Sequence, residues 1–432
     1  MKLRIEKAIY GGAGLARATE GPLAGKTVFV PLALPGELVA ARIVDDRRSF
    51  AQAELDQVLE AAPARTTPAC PYFGACGGCQ YQHATYANQV EMKAAILRET
   101  LERAHLEEMP PITTVHADPW RYRNRIRLVV EKAPFALSYR ERRSHATVAV
   151  NQCPIAAPLL ERALRATNSL GAKMHLAAIC DEIEFFTNSA QDQLLISLHA
   201  GRVGRSATDG LGQFAQALGS ELPELRGAGL FSAETARQPS RMLAHWGEPS
   251  LQYAAAGSEY RVSLGSFFQV NRFLVDTLVE LATEGRKGGI AWDLYAGVGL
   301  FARALTAGFG QVVAVEAAPY SSADLRVNLA GTSHKAVQEN TLDFLRQRRG
   351  ASVTAPDLVV VDPPRAGLGN EVTTLLTAIA PAQVVCVSCD PATLSRDLHA
   401  LIQSGYHLQN ITLVDLFPQT FHLESVTVLV RG

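Results

Sequence analysis

Apolar and polar residues alternate along the first 60 residues of the chain, in short stretches that glycine and proline interrupt. The stretches read KLRIEKAIYGGAGLARA, KTVFVPLALPGELVAARIVDD and FAQAELDQVLE. Alternation with a period of two is typical of strands that bury one face, and closely spaced short strands favour a small barrel. We therefore predict a β-barrel over residues 1–60.

Residues 61–262 mix helical and strand-like patterns. The stretch YANQVEMKAAILRETLERAHL has the spacing of a helix, whereas RYRNRIRLVVE and FALSYRE have the alternation of strands. The two patterns follow no regular order along this segment. We therefore predict a mixed α+β domain between the barrel and the C-terminal part of the chain.

From residue 263 to the end, continuous apolar runs alternate with helical segments. The runs are GIAWDLY, QVVAVEA, PDLVVVDPP and AQVVCVSCD. Runs without polar alternation are typical of parallel strands that helices cover on both faces. We predict a Rossmann-like, doubly wound α/β domain over residues 263–432, and we expect the last runs, NITLVDLF and SVTVLVRG, to form an antiparallel pair at its edge.

Composition narrows the class of protein. The 432 residues are 47% hydrophobic and 19% charged, which indicates a globular chain and excludes a disordered one. No apolar stretch is long enough to span a bilayer and the first residues lack the apolar core of a signal peptide, so we expect a cytoplasmic protein with reduced cysteines. The formal net charge is −1, and any binding of nucleic acid must therefore depend on local charge.

The first apolar run of the C-terminal domain leads into a turn with the pattern Gly297-x-Gly299-x-x-Ala302. Glycine lets the backbone approach a ligand closely, and Glu316, which ends the next run, can bind ribose hydroxyls. This spacing fits NAD as well as S-adenosylmethionine, and a tight turn without a ligand is the third possibility. Asp293 favours S-adenosylmethionine, because an acid beside the turn suits a cationic sulfonium better than a pyrophosphate.

Two further runs of this domain end in residues whose side chains can react or bind a ligand, Asp362 and Cys389. Ligands of open parallel sheets lie outside the carboxyl ends of the strands, and consecutive strands are usually neighbours. We therefore predict that Asp362, Cys389 and the Gly297 turn share one cleft. A helix that begins near Pro391 is expected to favour the thiolate of Cys389, although a buried cysteine can also be inert.

A thiolate beside a methyl donor suggests a particular reaction. Carbon 5 of uracil is too weak a nucleophile to accept a methyl group directly. Addition of a thiolate to carbon 6 makes carbon 5 enolate-like and able to attack a sulfonium methyl group, and a base must later remove the proton from carbon 5. This is covalent catalysis, which replaces one difficult step with easier ones.

The segments WDLYAGVGLF, VVVDPPRAGL, VVCVSCDPATLSRDL and FHLESVTVL, in this order, resemble the signature segments of the RNA 5-methyluridine methyltransferases, which use S-adenosylmethionine. GSFFQVN, residues 265–271, resembles the segment that precedes the donor site in that family. The resemblance implies Cys389 as the nucleophile and Glu424 as the general base. It also implies that five residues lie near the donor: Gln269, Tyr295, Glu316, Asn340 and Asp362.

Three cysteines in the spacing C-x5-C-x2-C predict a metal site: Cys70, Cys76 and Cys79. Cys153 is the best candidate for a fourth ligand, and His83 and Cys180 are weaker ones. Four thiolates hold either zinc or an iron–sulfur cluster, and the spacing leaves both open. The segment CPYFGACGGCQYQH resembles the ligand segment that the ribosomal-RNA branch of the family uses for a [4Fe–4S] cluster. The resemblance therefore implies a cluster, which we expect to be structural or to position RNA.

Local charge and a second resemblance indicate where RNA binds. IEKAIYGGAGLAR resembles the TRAM domain, a small OB-like barrel that binds RNA. Four arginines alternate with other residues in RYRNRIRL: Arg121, Arg123, Arg125 and Arg127. On a strand they would share one face suited to phosphates, although a solvated face is the alternative. The segment YRERRSH adds three more arginines: Arg140, Arg142 and Arg143.

These patterns and the two resemblances together imply an RNA (uracil-5-)-methyltransferase with three domains, over residues 1–60, 61–262 and 263–432. We expect it to methylate carbon 5 of a uridine that is extruded from large-subunit ribosomal RNA, with transfer RNA as the alternative substrate. A nucleotide-dependent iron–sulfur oxidoreductase and an RNA-binding scaffold without catalysis are the rival hypotheses. No membrane and no obligate protein partner is indicated.

Overall fold

The computed structural model of the protein describes residues 1–106, 109–201, 207–233, 240–349 and 354–432. The first five strands form a closed barrel in the order β1-β2-β3-β5-β4. Their bounds are β1 (Lys2–Ala8), β2 (Ala13–Arg17), β3 (Thr27–Pro31), β4 (Leu38–Asp46) and β5 (Phe50–Glu60). Alternate residues such as Leu3, Ile5, Val28 and Val30 point into the barrel core, which confirms the predicted barrel.

The following part of the chain forms a seven-stranded sheet in the order β13-β12-β11-β10-β7-β8-β9 and a separate hairpin of β14 and β15. The elements are α1 (Tyr86–Arg103), β6 (Ile112–Val115), β7 (Arg125–Lys132), β8 (Phe135–Arg140), β9 (Thr147–Ala149), α2 (Pro158–Leu170), α3 (Leu176–Ile179), β10 (Glu182–Thr187), β11 (Leu194–Ala200), α4 (Ala207–Glu221), β12 (Leu225–Ser232), β13 (Met242–Gly247), β14 (Ser250–Ala255) and β15 (Ser258–Ser263). The helices α2, α3 and α4 pack their apolar faces on this sheet and form one core with it.

The C-terminal part forms an eight-stranded sheet in the order β18-β17-β16-β19-β20-β22-β21-β6. Its elements are α5 (Val275–Thr283), β16 (Gly288–Leu294), α6 (Leu300–Leu305), β17 (Phe309–Glu316), α7 (Pro319–Asn328), β18 (Lys335–Gln338), α8 (Thr341–Arg348), β19 (Leu358–Val361), α9 (Gly369–Ile379), β20 (Gln383–Ser388), α10 (Pro391–Gln403), β21 (Tyr406–Val414) and β22 (Glu424–Arg431). Helices α5, α6 and α7 cover one face of the sheet, and α1, α8, α9 and α10 cover the other. The predicted doubly wound α/β fold is confirmed.

The order of the last strands differs from the prediction of an antiparallel edge pair. β21 and β22 are antiparallel, but β22 lies between β20 and β21, and β6 pairs in parallel with β21 at the edge. The sequence of β22 explains its position, because six consecutive residues from Glu424 are buried and such a strand needs cover on both faces. β6 comes from the segment assigned to the central domain, so the domain boundary at residue 262 stays a prediction.

None of the helices in the described ranges is long and apolar enough to cross a bilayer.

Candidate functional site

The turn after β16 has the backbone geometry of a ligand-binding turn. Gly297 and Gly299 have φ angles of 56° and 93°, and a Cβ atom on Gly299 would lie 2.6 Å from Leu325. The carboxylate of Glu316 accepts hydrogen bonds from the N–H groups of Gly297 (2.8 Å) and Ala318 (2.7 Å). Glycine is therefore required at position 299, and Glu316 holds the turn in shape while it lines the adjacent cavity.

Asp293 stabilises the start of α6, directly after this turn, and does not line the cavity. It is completely buried, and its Oδ2 accepts a hydrogen bond from the N–H of Ala302 at 2.8 Å. Burial raises the pKa of this carboxyl well above its usual range and so favours its neutral form. The carboxyl faces the start of α6, and a direct effect of Asp293 on a cationic sulfonium stays a prediction.

The strands that end in Asp362 and Cys389 are neighbours, as the sequence predicts. β19 and β20 run in parallel, with Val361 opposite Cys386. Asp362 follows β19 directly, and Cys389 follows β20 directly. β16, which leads into the glycine turn, lies on the other side of β19. The carboxyl ends of the three strands therefore meet at one edge of the sheet.

β22 brings a second carboxylate to this edge from the opposite chain direction. Ser388 of β20 pairs with Ser425 of β22, so Cys389 and Glu424, the next residue on either side, lie opposite each other at the end of the two strands. Both side chains line the same cavity. Glu424 is 5% exposed, and in the described part of the chain its Oε1 has no hydrogen-bond partner.

One cavity of about 550 Å³ joins these groups. It is lined by seven residues that the sequence indicates: Gln269, Tyr295, Gly297, Glu316, Asp362, Cys389 and Glu424. Gln269 donates a hydrogen bond from Nε2 to Oδ2 of Asp362 at 3.2 Å. Asn340 is not part of this lining; its Oδ1 accepts a hydrogen bond from the N–H of Leu342 at 2.8 Å and so caps α8. Its contact with the donor stays a prediction.

Sequence reasoning missed two cavity residues, Arg365 and His422. Nη2 of Arg365 lies 3.0 Å from Nδ1 of His422, and both side chains line the cavity beside Cys389. The available signals were the position of Arg365 in the DPPR segment after Asp362 and the position of His422 two residues before Glu424. Burial, and then the charge of Arg365, lower the pKa of His422 to about 4, so the ring is neutral.

Burial raises the pKa values of all three reactive groups in the cavity. The pKa of Asp362 is raised to about 7, and that of Glu424 is raised well above its ordinary range, in both cases chiefly by burial. Burial, followed by the charges of Glu424 and Asp362, raises the pKa of Cys389 to about 11, while Arg365 opposes this shift. The cavity without a bound cation therefore favours the neutral forms of its acids.

The expectation that α10 favours the thiolate of Cys389 is wrong for the cavity without a bound cation. α10 does begin at Pro391, but the Asp390 side chain accepts hydrogen bonds from the N–H groups of Ala392 and Thr393, both at 3.0 Å. This carboxylate satisfies the end of the helix and offsets its positive potential. Cys389 is therefore a thiol until something in the reaction cycle lowers its pKa.

The four predicted metal-binding cysteines line a second cavity, of about 270 Å³: Cys70, Cys76, Cys79 and Cys153. The weaker candidates, His83 and Cys180, lie outside its lining. Burial raises the pKa of the Cys76 thiol to about 11 and that of Cys79 to about 12. Within the described ranges, no group of three or more His, Cys, Asp or Glu residues is arranged to hold a metal ion. The four thiols are close enough together for the charge of one to affect the pKa of another.

Comparison with known proteins identifies the family. Residues 85–432 match the family model of the tRNA (Uracil-5-)-methyltransferases, and residues 1–55 match the TRAM domain. The chain belongs to the tRNA (uracil-5-)-methyltransferase family. The predicted enzyme class, an RNA (uracil-5-)-methyltransferase that uses S-adenosylmethionine, and the predicted TRAM barrel are thereby confirmed.

Relatives match the chain over nearly its whole length. An uncharacterized RNA methyltransferase of Aquifex aeolicus is 32% identical, and the match covers 99% of this chain and 98% of the relative. The 23S rRNA (uracil(1939)-C(5))-methyltransferase RlmD of Klebsiella pneumoniae is 31% identical, and the match covers 97% of this chain and 93% of the relative.

A solved structure confirms the fold of this uracil-5-methyltransferase. The tRNA (uracil-54, C5)-methyltransferase of Pyrococcus abyssi, in complex with S-adenosyl-L-homocysteine, superimposes with a TM-score of 0.76. The superposition covers 100% of both chains at 21% sequence identity.

The arginines of RYRNRIRL do not form the row of four that the sequence predicts for this methyltransferase. β7 begins at Arg125, and Arg121 has a φ angle of 52°, so that Arg125 and Arg127 alone lie on the strand. Both are paired with carboxylates of β10, at 3.4 and 2.6 Å. Arg123 donates from Nε to the carbonyl oxygen of Arg125 and lines the cysteine cavity. The four-guanidinium face is therefore wrong, because a neighbouring strand supplies compensating acids.

A groove of about 410 Å³ lies between the barrel, the cysteine segment and the catalytic sheet. The second arginine segment lines it with Arg140, Arg142 and Arg143, and Phe421 lies at its catalytic end. Four glycines make part of its wall: Gly11, Gly12, Gly77 and Gly78. Burial, followed by the charge of Arg143, lowers the pKa of Arg142, which indicates two cations held close together. This wall therefore combines positive charge with an accessible backbone.

The loop between β21 and β22, residues 415–423, carries Phe417 and His422 into the catalytic cavity and ends at Glu424. We call it the rim loop. Lys93 of α1 donates to Oδ1 of Asp415 (2.6 Å) and to the carbonyl oxygen of Phe417 (2.9 Å), and both charged side chains are fully buried. Loss of one partner would leave a buried charge, at a cost of about 3–5 kcal/mol. The first half of the rim loop is thus fixed to α1.

Proposed function

We propose that the protein transfers the methyl group of S-adenosylmethionine to carbon 5 of a uridine in large-subunit ribosomal RNA, through a covalent adduct between Cys389 and the uridine. The observation that carries this proposal is that Cys389 and Glu424 flank the last residue pair of β20 and β22 and line the same cavity as the Gly297 turn. A nucleophile (Cys389), a carboxylate (Glu424) and a turn suited to adenosine therefore line the same cavity.

Ribosomal RNA is the favoured substrate because of sequence similarity over the full chain. The Klebsiella pneumoniae relative, named for 23S rRNA, is 31% identical. The Pyrococcus abyssi enzyme, named for tRNA, is 21% identical and carries an argument about the fold alone. The four cysteines around one cavity, which the resemblance associates with the ribosomal branch, point the same way. Transfer RNA is the alternative that the experiment below distinguishes.

Cys389 performs the first step of the proposed reaction. Its thiol loses a proton to solvent, and the sulfur forms a bond to carbon 6 of the extruded uracil. The double bond between carbons 5 and 6 opens, and its electron pair moves to carbon 5 and the conjugated carbonyl. The bound donor supplies an electrophilic methyl group on a sulfonium sulfur. Carbon 5 forms the new bond to carbon while the bond between sulfur and methyl breaks, so the electrons balance without an external oxidant or reductant.

Glu424 performs the last step. It removes the proton from carbon 5, the double bond between carbons 5 and 6 forms again, and the sulfur of Cys389 leaves carbon 6. Two observations support this role: among the described residues Oε1 of Glu424 has no hydrogen-bond partner, and Glu424 lines the same cavity as Cys389. The raised pKa of Glu424 also increases its basicity once it is ionised.

Binding of the donor explains how the neutral cavity becomes reactive. The cavity holds Asp362, Glu424 and Cys389, and the negative forms of the first two raise the pKa of the third. A sulfonium cation in the same space favours every negative form and lowers all three pKa values. We infer that the donor prepares the nucleophile and the base, and that Gln269 holds Asp362 in position for this contact through its hydrogen bond.

We propose that the cysteine cavity holds a [4Fe–4S] cluster, with zinc as the alternative that metal analysis distinguishes. A zinc ion needs four ligands that converge on one point at about 2.3 Å from sulfur. The four thiols line one space of about 270 Å³. Four cysteine thiolates are the ligand set of a [4Fe–4S] cluster. A bound cluster would link four residues to one another: Cys70, Cys76, Cys79 and Cys153. We propose a structural role for it.

We also propose that RNA passes through the groove lined by Arg142 and Arg143. Single-stranded nucleic acid needs cations for its phosphates and aromatic faces for its bases. The groove offers both, since Phe421 lies at the end that adjoins His422 and the catalytic cavity. In this proposal the barrel of residues 1–60 and the central domain of residues 61–262 form two walls of the RNA path, and the domain of residues 263–432 receives the uridine.

The test of this function uses purified protein, labelled S-adenosylmethionine and two unmodified RNAs. We expect methyl transfer to large-subunit ribosomal RNA, with the product identified as 5-methyluridine, and no comparable transfer to bulk tRNA. Transfer to tRNA alone would contradict the ribosomal assignment. Tight binding of NADH in place of S-adenosylmethionine would contradict the methyltransferase assignment and favour the oxidoreductase.

A further inference from the structure

The segment after the clustered cysteines holds the rim loop from outside the catalytic sheet. The backbone N–H groups of Gln80 and Tyr81 both donate to the carbonyl oxygen of Gln419, each at 2.9 Å. The side chain of Gln80 adds two bonds: Oε1 accepts from the N–H of Phe421 at 3.2 Å, and Nε2 donates to the carbonyl oxygen of Gly77 at 2.7 Å. One buried amide therefore joins the rim loop to the turn between two of the clustered cysteines.

We propose that Gln80 is a positioning residue that couples the geometry of the cysteine site to His422 and Glu424. Gln80 follows Cys79 directly in the chain. It binds Phe421, which precedes His422 by one residue and Glu424 by three. The inference rests on the proposed function, because it treats Glu424 as the base that completes the reaction.

The backbone conformation of the rim loop explains why these hydrogen bonds are needed. Gln419 has a φ angle of 69°, in the left-handed region that residues with a side chain rarely adopt. Its N–H donates to Oε1 of Gln89 at 2.9 Å, and its carbonyl receives the two backbone bonds from Gln80 and Tyr81. A strained residue persists only when its surroundings determine its conformation. Here those surroundings are α1 and the cysteine segment.

The chemistry of the Gln80 amide fits both of its partners. Phe421 N–H needs an acceptor and the Gly77 carbonyl needs a donor, and a primary amide supplies both at a fixed separation. A glutamate at this position would keep the acceptor and lose the donor. A methionine would fill a similar volume and lose both. Comparison of the two substitutions therefore separates the effect of the hydrogen bond to Phe421 in the rim loop from that of the hydrogen bond to Gly77 in the cysteine turn.

Hydrogen exchange on the whole protein tests the proposal without any catalytic assay. We expect Gln80→Met to accelerate exchange at several amides of residues 415–424, and Gln80→Glu to accelerate it less. Cys79→Ser should accelerate exchange in the same peptide, because the coupling starts at the cysteine site. The control is Gln193→Met, which removes a glutamine whose Oε1 accepts from the backbone N–H of Gln252 at 3.0 Å in the β14–β15 hairpin. That variant should leave residues 415–424 unchanged.

A catalytic measurement distinguishes positioning from general destabilisation. With iron content and affinity for S-adenosylmethionine equal to those of the wild type, Gln80→Met should slow release of the methylated RNA by about fivefold or more and accumulate the covalent adduct. Unchanged exchange in residues 415–424 in both Gln80→Met and Cys79→Ser would overturn the proposal even if the wild type methylates RNA. Failure of the wild type to methylate would overturn the proposed function, and the exchange measurement would still decide on the coupling.

Discussion

The hydroxyl of Tyr10 donates a hydrogen bond to the backbone carbonyl oxygen of Cys389, with 3.3 Å between the two oxygens. Tyr10 belongs to the turn that joins β1 and β2 of the barrel, and its ring packs edge-on against Phe421. The TRAM barrel is therefore in direct contact with the strand end that carries the nucleophile. The barrel, where we expect RNA to bind, is thus fixed to the strand end where the uridine would react.

This contact predicts a specific effect of Tyr10→Phe. Loss of one hydrogen bond to the Cys389 backbone should lower the rate of adduct formation about 2- to 10-fold, with little change in RNA affinity. Rapid-quench kinetics with a defined RNA fragment measure the rate. The matched control is Tyr406→Phe, which removes a similar bond to the Pro381 carbonyl at the opposite end of β20. If both variants form the adduct at the same rate as the wild type, the Tyr10 contact does not position Cys389.

The pKa of Asp362 predicts how donor binding depends on pH. Burial raises this pKa to about 7, so the carboxyl is neutral below that pH and ionised above it. A sulfonium cation prefers the ionised form, and affinity for S-adenosylmethionine should therefore rise as the pH increases from about 6 to 8. Calorimetry at each pH measures the affinity.

Two comparisons check the cause of this pH dependence. S-Adenosylhomocysteine lacks the positive charge on sulfur and should show a smaller change in affinity over the same range. Asp362→Asn should bind the donor more weakly and lose most of the pH dependence. An equal pH dependence for both ligands would show that the sulfonium does not face Asp362.

The cysteine cavity predicts the metal content of the protein. Protein purified without oxygen should be brown and contain iron, and Cys76→Ser should lose the colour and unfold at a lower temperature, because cluster binding is coupled to folding. Cys180→Ala is the control, since Cys180 is buried elsewhere in the central core. Fresh wild-type protein that contains zinc and no iron would contradict the cluster.

The groove predicts which arginines determine the salt dependence of RNA binding. Replacement of Arg142 and Arg143 by alanine should weaken binding and reduce the slope of log affinity against log salt by about 0.7 for each lost phosphate contact with single-stranded RNA. Replacement of Arg162 and Arg165 is the control, because these exposed arginines of α2 are paired with carboxylates. Equal slopes for the two double variants would exclude the groove as the RNA path.

The parts of the fold that the sequence predicts are those with strong local signals. Apolar runs ending in Asp362 and Cys389 indicate parallel strands, and parallel strands carry their terminal residues to a common edge. The position of β22 between β20 and β21 has no such signal, because strand order depends on contacts between distant segments. That order places Glu424 opposite Cys389, so the resemblance alone indicated the base.

Electrostatic expectations failed where a neighbouring element supplied an opposite charge. The helix after Cys389 is capped by Asp390, and burial raises the thiol pKa, although the sequence shows a helix start in the expected place. Arg125 and Arg127 alternate as predicted, but β10 pairs each of them with a glutamate. Sequence spacing gives the position of a charge along one strand and does not give the charges that face it.

The covalent cycle predicts opposite behaviour for two variants of the catalytic pair. Cys389→Ala cannot add to carbon 6 and should neither methylate RNA nor form an adduct. Glu424→Gln keeps the nucleophile and the donor site but lacks the base, so it should add and transfer the methyl group and then fail to release the product. Loss of a general base commonly slows a reaction ~100- to 10,000-fold, which leaves time to isolate the adduct.

Denaturing electrophoresis of Glu424→Gln after incubation with RNA and methyl-labelled S-adenosylmethionine is the most direct test of the account. The predicted result is a band of protein joined to RNA that carries the methyl label and is absent when Cys389 is also replaced by alanine. Turnover of Glu424→Gln at the wild-type rate without such a band, or methylation of uridine by Cys389→Ala, would contradict the covalent mechanism.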